Sequence, residues 1–121
     1  MTSRRATSAT VRRIALELPE TVERSHFDRP DFRVGSKIFA TLPKDPRFAV
    51  LKSRPANVDA LVAADPATFS DEWRGRWVGI RLDRVAPSLL RELIMDAWRL
   101  VAPRRLAIPA SSPRGQYSRK P

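Results

Sequence analysis

The chain has one histidine and no cysteine, and those two counts settle most of the chemistry open to it. Without Cys there is no disulfide, no thiolate metal site and no thiol nucleophile. His26 would have to act as the base for Ser25 or another hydroxyl. Its neighbours fall on a strand-like segment, however, with no oxyanion-hole signal nearby. A lone histidine on a strand is most often structural or superficial. His26, Asp28 and Asp31 carry metal-ligating atoms, but the turn chemistry of Asp28-Arg-Pro-Asp31 accounts for both aspartates. Glu20 and Glu23 read as a capping or solvated pair. Four glycines contain no phosphate-cradling loop. The expectation is a protein that is not an enzyme and needs no cofactor or metal. An enzyme would need a polar pocket around His26, Asp28 and Arg29.

The remaining chemistry is electrostatic. The net charge is +10, with 23 Lys and Arg against 13 Asp and Glu. Arg4, Arg5, Arg114, Arg119 and Lys120 lie near the ends without an accompanying acid. Half of the excess is therefore terminal, and the other half belongs to residues 6–113. A basic balance favours polyanion partners, although a general bias toward arginine would give the same count.

These side chains need a scaffold. Three short apolar runs between Asp31 and Lys52 are separated by Gly35-Ser36 and by Pro43-Lys-Asp-Pro46, the pattern of an antiparallel meander. Thr21–Phe27 reads as a strand before it, with a turn at Asp28–Asp31. Trp77–Leu82 reads as the last strand, after an irregular stretch over Thr68–Arg76. Val11, Ile14, Ala15 and Leu18 make one stripe of a first helix, capped by Thr7, Ser8 or Thr10 and stopped by Pro19. Asn57 is expected to cap a two-turn helix carrying Val58, Leu61 and Val62. A third helix opens at Pro87 and presents Leu90, Leu93, Ile94, Ala97, Trp98 and Val101.

Register decides which side chains face solvent. A two-residue turn at Gly35-Ser36 pairs Arg33 with Ile38 and mixes polar with apolar residues. A three-residue loop over Val34–Ser36 pairs Arg33 with Lys37 and Phe32 with Ile38, which segregates them, and is the expected geometry. One face then carries Arg33, Lys37, Lys52 and Arg81 with Phe39 and Trp77, extended by Trp73, Arg74 and Arg76. Bases interleaved with aromatics suit a phosphate backbone with stacked bases. A solvated face or a protein contact would use the same residues.

The order helix, three or four strands, helix, strand, helix gives an α+β, two-layer domain with a single antiparallel sheet and helices packed on one face. Residues 8–106 form that domain. A basic N-terminal segment (1–7) and a Pro-, Ser- and Arg-rich C-terminal tail (107–121) are expected to be disordered. No apolar run reaches the roughly 20 residues of a membrane span, and Met1–Ser8 lacks the apolar segment of a secretory signal. The expected setting is the cytoplasm.

Several stretches together resemble the MmcQ/YjbR-like family of small bacterial proteins. They are Leu16-Glu-Leu-Pro19, His26-Phe-Asp-Arg-Pro30, Phe32–Ala40, Val50-Leu-Lys52, Ala63-Ala-Asp-Pro66, Trp77–Leu82 and Ala97–Pro103. As an ordered set spanning about residues 11–106 they are distinctive. The resemblance implies a frataxin-like or secretion-chaperone-like two-layer fold. Family members are commonly labelled DNA-binding by analogy with a double-wing sheet, and no established catalytic residue comes with it. The combined expectation is a non-enzymatic DNA- or RNA-binding protein, monomeric or weakly dimeric, with no membrane partner. It would contact phosphate through Arg33, Lys37, Lys52, Arg74, Arg76 and Arg81 and stack bases on Phe39 and Trp77. The rival is a protein-interaction module using the same aromatic face.

Overall fold

A computed structural model describes residues 5–106. The expected basic tails, residues 1–4 and 107–121, lie outside the described residues. Ala6 is buried and Thr7 caps the first helix, α1 (Ser8–Glu17). The cap is reciprocal: Thr10 N–H donates to Thr7 Oγ1, and Thr7 N–H donates to Thr10 Oγ1, so two N–H groups at the helix start are satisfied. Val11, Ile14 and Ala15 form its buried face.

Four strands follow: β1 (Thr21–His26), β2 (Arg29–Val34), β3 (Lys37–Thr41) and β4 (Phe48–Lys52). Then come α2 (Pro55–Ala64), β5 (Phe69–Asp71), β6 (Trp77–Arg81) and α3 (Pro87–Val101), closed by a 3-10 turn at Arg104–Leu106. All strand pairings are antiparallel, in the order β1-β2-β3-β4-β6-β5. The chain is thus an α+β fold, an open six-stranded antiparallel sheet with its helices on one face. Among the described residues no helix is long and apolar enough to cross a membrane.

The β2–β3 turn departs from the expected three-residue loop. Val34 pairs with Lys37 and Arg33 with Ile38, so the loop is the two-residue Gly35-Ser36. Gly35 sits at φ +64°, the first central position of a hairpin turn, where glycine is the residue without a Cβ penalty. The polar–apolar conflict of this register is resolved one step further on. Phe32 pairs with Ala40 while Arg33 pairs with Ile38, leaving Phe39 as the extra residue of a β-bulge. Phe39 and Ala40 are both fully buried, an arrangement two consecutive residues of an unbroken strand cannot reach when one face is open.

Two expected site residues move as a result. Phe39 is core, not a stacking platform. Lys37 shares the side of its partner Val34, the covered side, at the free end of the hairpin. The β1–β2 turn is also tighter than expected. It holds Phe27 and Asp28 at φ 53° and 63°, while Arg29, Pro30 and Asp31 already belong to β2.

The covered face carries Phe32, Val34, Ala40, Ala49, Leu51, Val78 and Ile80, joined by Phe69 of β5, a strand not anticipated in the Thr68–Arg76 stretch. Six side chains of α3, Leu90, Leu93, Ile94, Ala97, Trp98 and Val101, press on them. Each such burial gains about 1.5–3 kcal/mol for a large apolar side chain. Trp98 is fully buried and its indole N–H donates to the Pro19 carbonyl at 3.0 Å, so its one polar atom is satisfied. Phe39→Ala is expected to cost about 3–5 kcal/mol of stability in urea melts. Phe27→Asn with Asp28→Gly is expected to gain about 1 kcal/mol by relieving two left-handed residues.

Candidate nucleic-acid interface

Strand parity and register place Val22, Arg24 and His26 of β1, Arg29, Asp31 and Arg33 of β2, Ile38 and Thr41 of β3, Phe48, Val50 and Lys52 of β4, and Trp77, Gly79 and Arg81 of β6 on the uncovered face. Arg33 and Arg81 therefore do share a side. Their surroundings differ from the simple basic patch expected.

Arg33 is occupied. Asp31, 0% exposed although it lies on the open face, accepts from Arg33 Nε at 2.7 Å and Nη2 at 3.1 Å. His26 Nδ1 lies 2.6 Å from Oδ2, the oxygen that also accepts from Arg33 Nη2. The bidentate Arg33 contact is the main reason the Asp31 carboxyl is held below the usual carboxylate range; desolvation opposes it and the His26 bond assists. An ionised carboxylate only accepts, so Nδ1 carries the proton of that hydrogen bond. With Asp31 bound on both oxygens by cationic and imidazole donors, His26, Asp28 and Asp31 do not assemble into a metal site. Among the described residues no group of three His, Asp or Glu could hold one.

Arg81 is partly compensated as well. Its Nη2 donates to Asp83 Oδ2 at 3.3 Å, and its Nε lies 2.9 Å from Oδ1 without hydrogen-bond alignment. The guanidinium also lies 5.9 Å from the Phe48 ring, which Arg47 flanks at 5.6 Å. Arg47 in turn is clamped on Asp45 and holds that carboxyl down to about 2.

The other end of β4 and β6 is different. Lys52 pairs across strands with Trp77 and places its ammonium 5.0 Å from the indole ring, a cation–π contact. Ser53 N–H donates to the Arg76 carbonyl at 2.9 Å, and Arg76 N–H donates to the Trp73 carbonyl at 2.8 Å. The turn between those last two residues holds Arg74 and Gly75 at φ 50° and 72°. Asp71 Oδ1 braces it by accepting from Gly75 N–H at 2.8 Å, and the Arg74 guanidinium sits 5.2 Å from the Trp73 ring. Gly75 packs so close to Pro55 that a Cβ would meet it at 3.3 Å. The hairpin is thereby pinned to the start of α2, beside Arg54. Among the described residues, Lys52, Arg54, Arg74 and Arg76 have no carboxylate within ion-pair reach. Trp73 is 54% exposed and Trp77 half-buried.

Of the residues expected to form the site, Lys52, Arg74, Arg76 and Trp77 converge. Arg81 lies about 13 Å further along β6. Arg33 is four strands away from β6's partner β5 and ion-paired, Lys37 is at the β2–β3 turn, and Phe39 is in the core. Sequence reading overlooked Arg54, assigning the helix start to Asn57. The helix begins at Pro55 instead, with Arg54 flanking it and no side-chain cap. Proline at the first helical position was the available signal.

The sequence model of the YjbR family matches residues 16–100. The chain is also similar to the crystal structure of Deinococcus radiodurans protein DR2400, which carries a DUF419 domain. The TM-score is 0.75 at 26% identity, covering 96% of this chain and 99% of that one. No curated protein matches.

The Asp31 cluster predicts an acid limb. A carboxyl depressed by folding contributes stability that is fully present above its unfolded value near 3.9 and is lost as pH falls through the lower folded value. Asp31→Asn is expected to lose about 2 kcal/mol at pH 7 and to flatten the fall of stability below pH 4, followed by urea denaturation across pH.

Proposed function

The chain belongs to the YjbR family, and from that premise we propose that it is a non-enzymatic nucleic-acid-binding protein. Its contact surface is the cation–aromatic end of the sheet, formed by Lys52, Arg54, Arg74 and Arg76 around Trp73 and Trp77. One observation carries the reading: among the described residues, four cations without acidic partners lie at this end of the sheet, Lys52 against the half-buried Trp77 and Arg74 against the exposed Trp73. Unpaired guanidinium and ammonium groups give up no ion pair on meeting phosphate. Indole faces accept any base, so binding of this type tolerates sequence and favours single strands. Arg81, further along β6, exchanges its Asp83 contact for phosphate only at a cost, and contributes less.

A second reading rests on a different place. Phe27 is 88% exposed at the β1–β2 turn, an apolar tip suited to a protein contact. Salt-insensitive self-association that disappears in Phe27→Ser would favour it over the first.

Binding of labelled single- and double-stranded DNA to the full chain, followed across a salt series, tests the proposal. Log affinity should fall linearly with log salt, and Arg74→Gln/Arg76→Gln should lower that slope by roughly 1–2. Trp77→Ala should cost about 1–3 kcal/mol on single strands. Affinity and slope unchanged in both variants would remove this end of the sheet from the function.

A further inference from the structure

The sheet has two edges, and they are unlike. β5 is three residues long, and α2 lies against it. β1 runs six residues in unbroken register with β2 and contains no proline, lysine or bulge, the usual devices that blunt an edge. Residues 22–25 are all exposed.

The β1–β2 turn fixes which main-chain groups this edge presents. A two-residue turn with Phe27 and Asp28 both left-handed makes His26 and Arg29 a hydrogen-bonded pair, and the pattern alternates from there. Val22, Arg24 and His26 therefore direct their amides and carbonyls to β2, while Thr21, Glu23 and Ser25 turn theirs outward. Pro30 confirms the phase. It stands opposite Ser25, has no N–H to give, and its carbonyl accepts from Leu42 N–H on the β3 side at 2.9 Å. Thr21 N–H turns back to the Leu18 carbonyl at 3.3 Å. Among the described residues, the Glu23 and Ser25 amides and the carbonyls of Thr21, Glu23 and Ser25 are left without main-chain partners.

That array is complementary to a second copy of itself. In a two-fold antiparallel pair centred on Glu23, each Glu23 N–H meets the other Glu23 carbonyl, and each Ser25 N–H meets the partner's Thr21 carbonyl. Centring on Arg24 would form as many bonds but would oppose two Arg24 side chains, like charges that repel and that no salt bridge engages among the described residues. The Glu23 carboxylates instead arrive with their counter-ions. Arg12 Nε and Nη2 donate to Glu23 at 2.9 and 3.1 Å, so two arginines and two carboxylates would alternate across the junction. Val22 falls opposite the partner's Arg24, whose aliphatic stem covers it.

The exposed apolar side chains fit the same geometry. Three of the four large ones among the described residues, Leu16, Val22 and Phe27, lie on or beside β1. Leu16 follows Arg12 by one turn of α1 and shares the side that Arg12 brings to Glu23. Leu16 and Phe27 lie at opposite ends of the strand. An antiparallel partner reverses β1 and sets the Phe27 tip of one copy beside the α1–β1 connection of the other.

We propose that the chain forms a weak homodimer by continuing its sheet through β1, in register about Glu23, so that two six-stranded sheets become one. A ladder this short belongs to the transient class of interfaces. The dimer is independent of the nucleic-acid reading, whose surface lies around β4 and β6, and it gives the protein contact at Phe27 a partner and a register.

Sedimentation velocity of the full chain from about 10 μM to about 1 mM, with amide hydrogen exchange at both ends of that range, tests it. The expected result is a monomer–dimer equilibrium in which the Glu23 and Ser25 amides slow about threefold or more at high concentration, whereas Val22 and Arg24 are protected at both. Ser25→Pro removes an outward amide and no β1–β2 bond, as an edge strand tolerates. It should leave the urea midpoint of the dilute chain unchanged and weaken association about tenfold or more. Glu23→Arg should also weaken association, and Arg12→Glu/Glu23→Arg should restore it. A monomer at the highest concentration, or a dimer whose Glu23 and Ser25 amides exchange as fast as when dilute, overturns the ladder. A dimer lost in Phe27→Ser but kept in Ser25→Pro assigns the contact to the tip and overturns it too, and failure of the charge swap to restore association overturns the register. Oligonucleotide binding is read separately, because no variant here alters Lys52, Arg54, Arg74 or Arg76.

Discussion

A sheet with one covered face must turn its apolar residues to that side in every strand, and here a single extra residue makes that possible. The Gly35-Ser36 turn sets Arg33 opposite Ile38. If that register ran on unbroken, Phe32 would face Phe39, Ala40 and Leu42 would point to solvent, and Thr41 would enter the core. The bulge at Phe39 restores parity, so that Phe39, Ala40 and Leu42 are all buried and Thr41 faces outward with Asp31 and Val50. Because β4 and β6 take their register from β3, the sidedness of Lys52, Trp77 and Arg81 descends from this one irregularity.

The uncovered face divides into two regimes. Toward β1 and β2, charge is consumed internally: a buried carboxylate is held by Arg33 and His26, a network whose partners satisfy one another and leave little to offer a ligand. Toward the β4 and β6 ends near α2, cations rest on indole faces rather than on acids. Cation–π contacts are weak enough to be exchanged, whereas a bidentate pair on a fully buried carboxylate is not. Equal formal charge thus has unequal availability, which net charge alone does not reveal.

Elements with strong local rules were legible in the sequence. The α3 stripe from Leu90 to Val101 has unbroken helical spacing, and its six buried residues are the six expected. Trp77–Arg81 and Phe48–Lys52 also fell where alternation put them. The errors came where geometry depends on a partner strand. Ile38-Phe39-Ala40 breaks the alternation, which is the mark of a bulge, but segregation of charge favoured a longer loop. Phe27-Asp28 lacks the glycine or asparagine usual in a two-residue turn, so its sequence points to a strand end followed by a turn start. Half of the candidate site shared this fate. Lys52, Trp77, Arg74 and Arg76 belong to one hairpin and its neighbour, so local sequence brings them together; Arg54 joins them only through the packing of Gly75 against Pro55.

The closing contacts of the fold join opposite ends of the chain. Trp98 bonds the Pro19 carbonyl, Arg91 meets Glu17, and Arg105 holds Glu20, so α3 seals what α1 begins. On the ribosome the four-stranded meander emerges long before α3 does. Its greasy side therefore waits bare until translation passes residue 101, the interval in which a nascent chain of this design depends on shielding by chaperones.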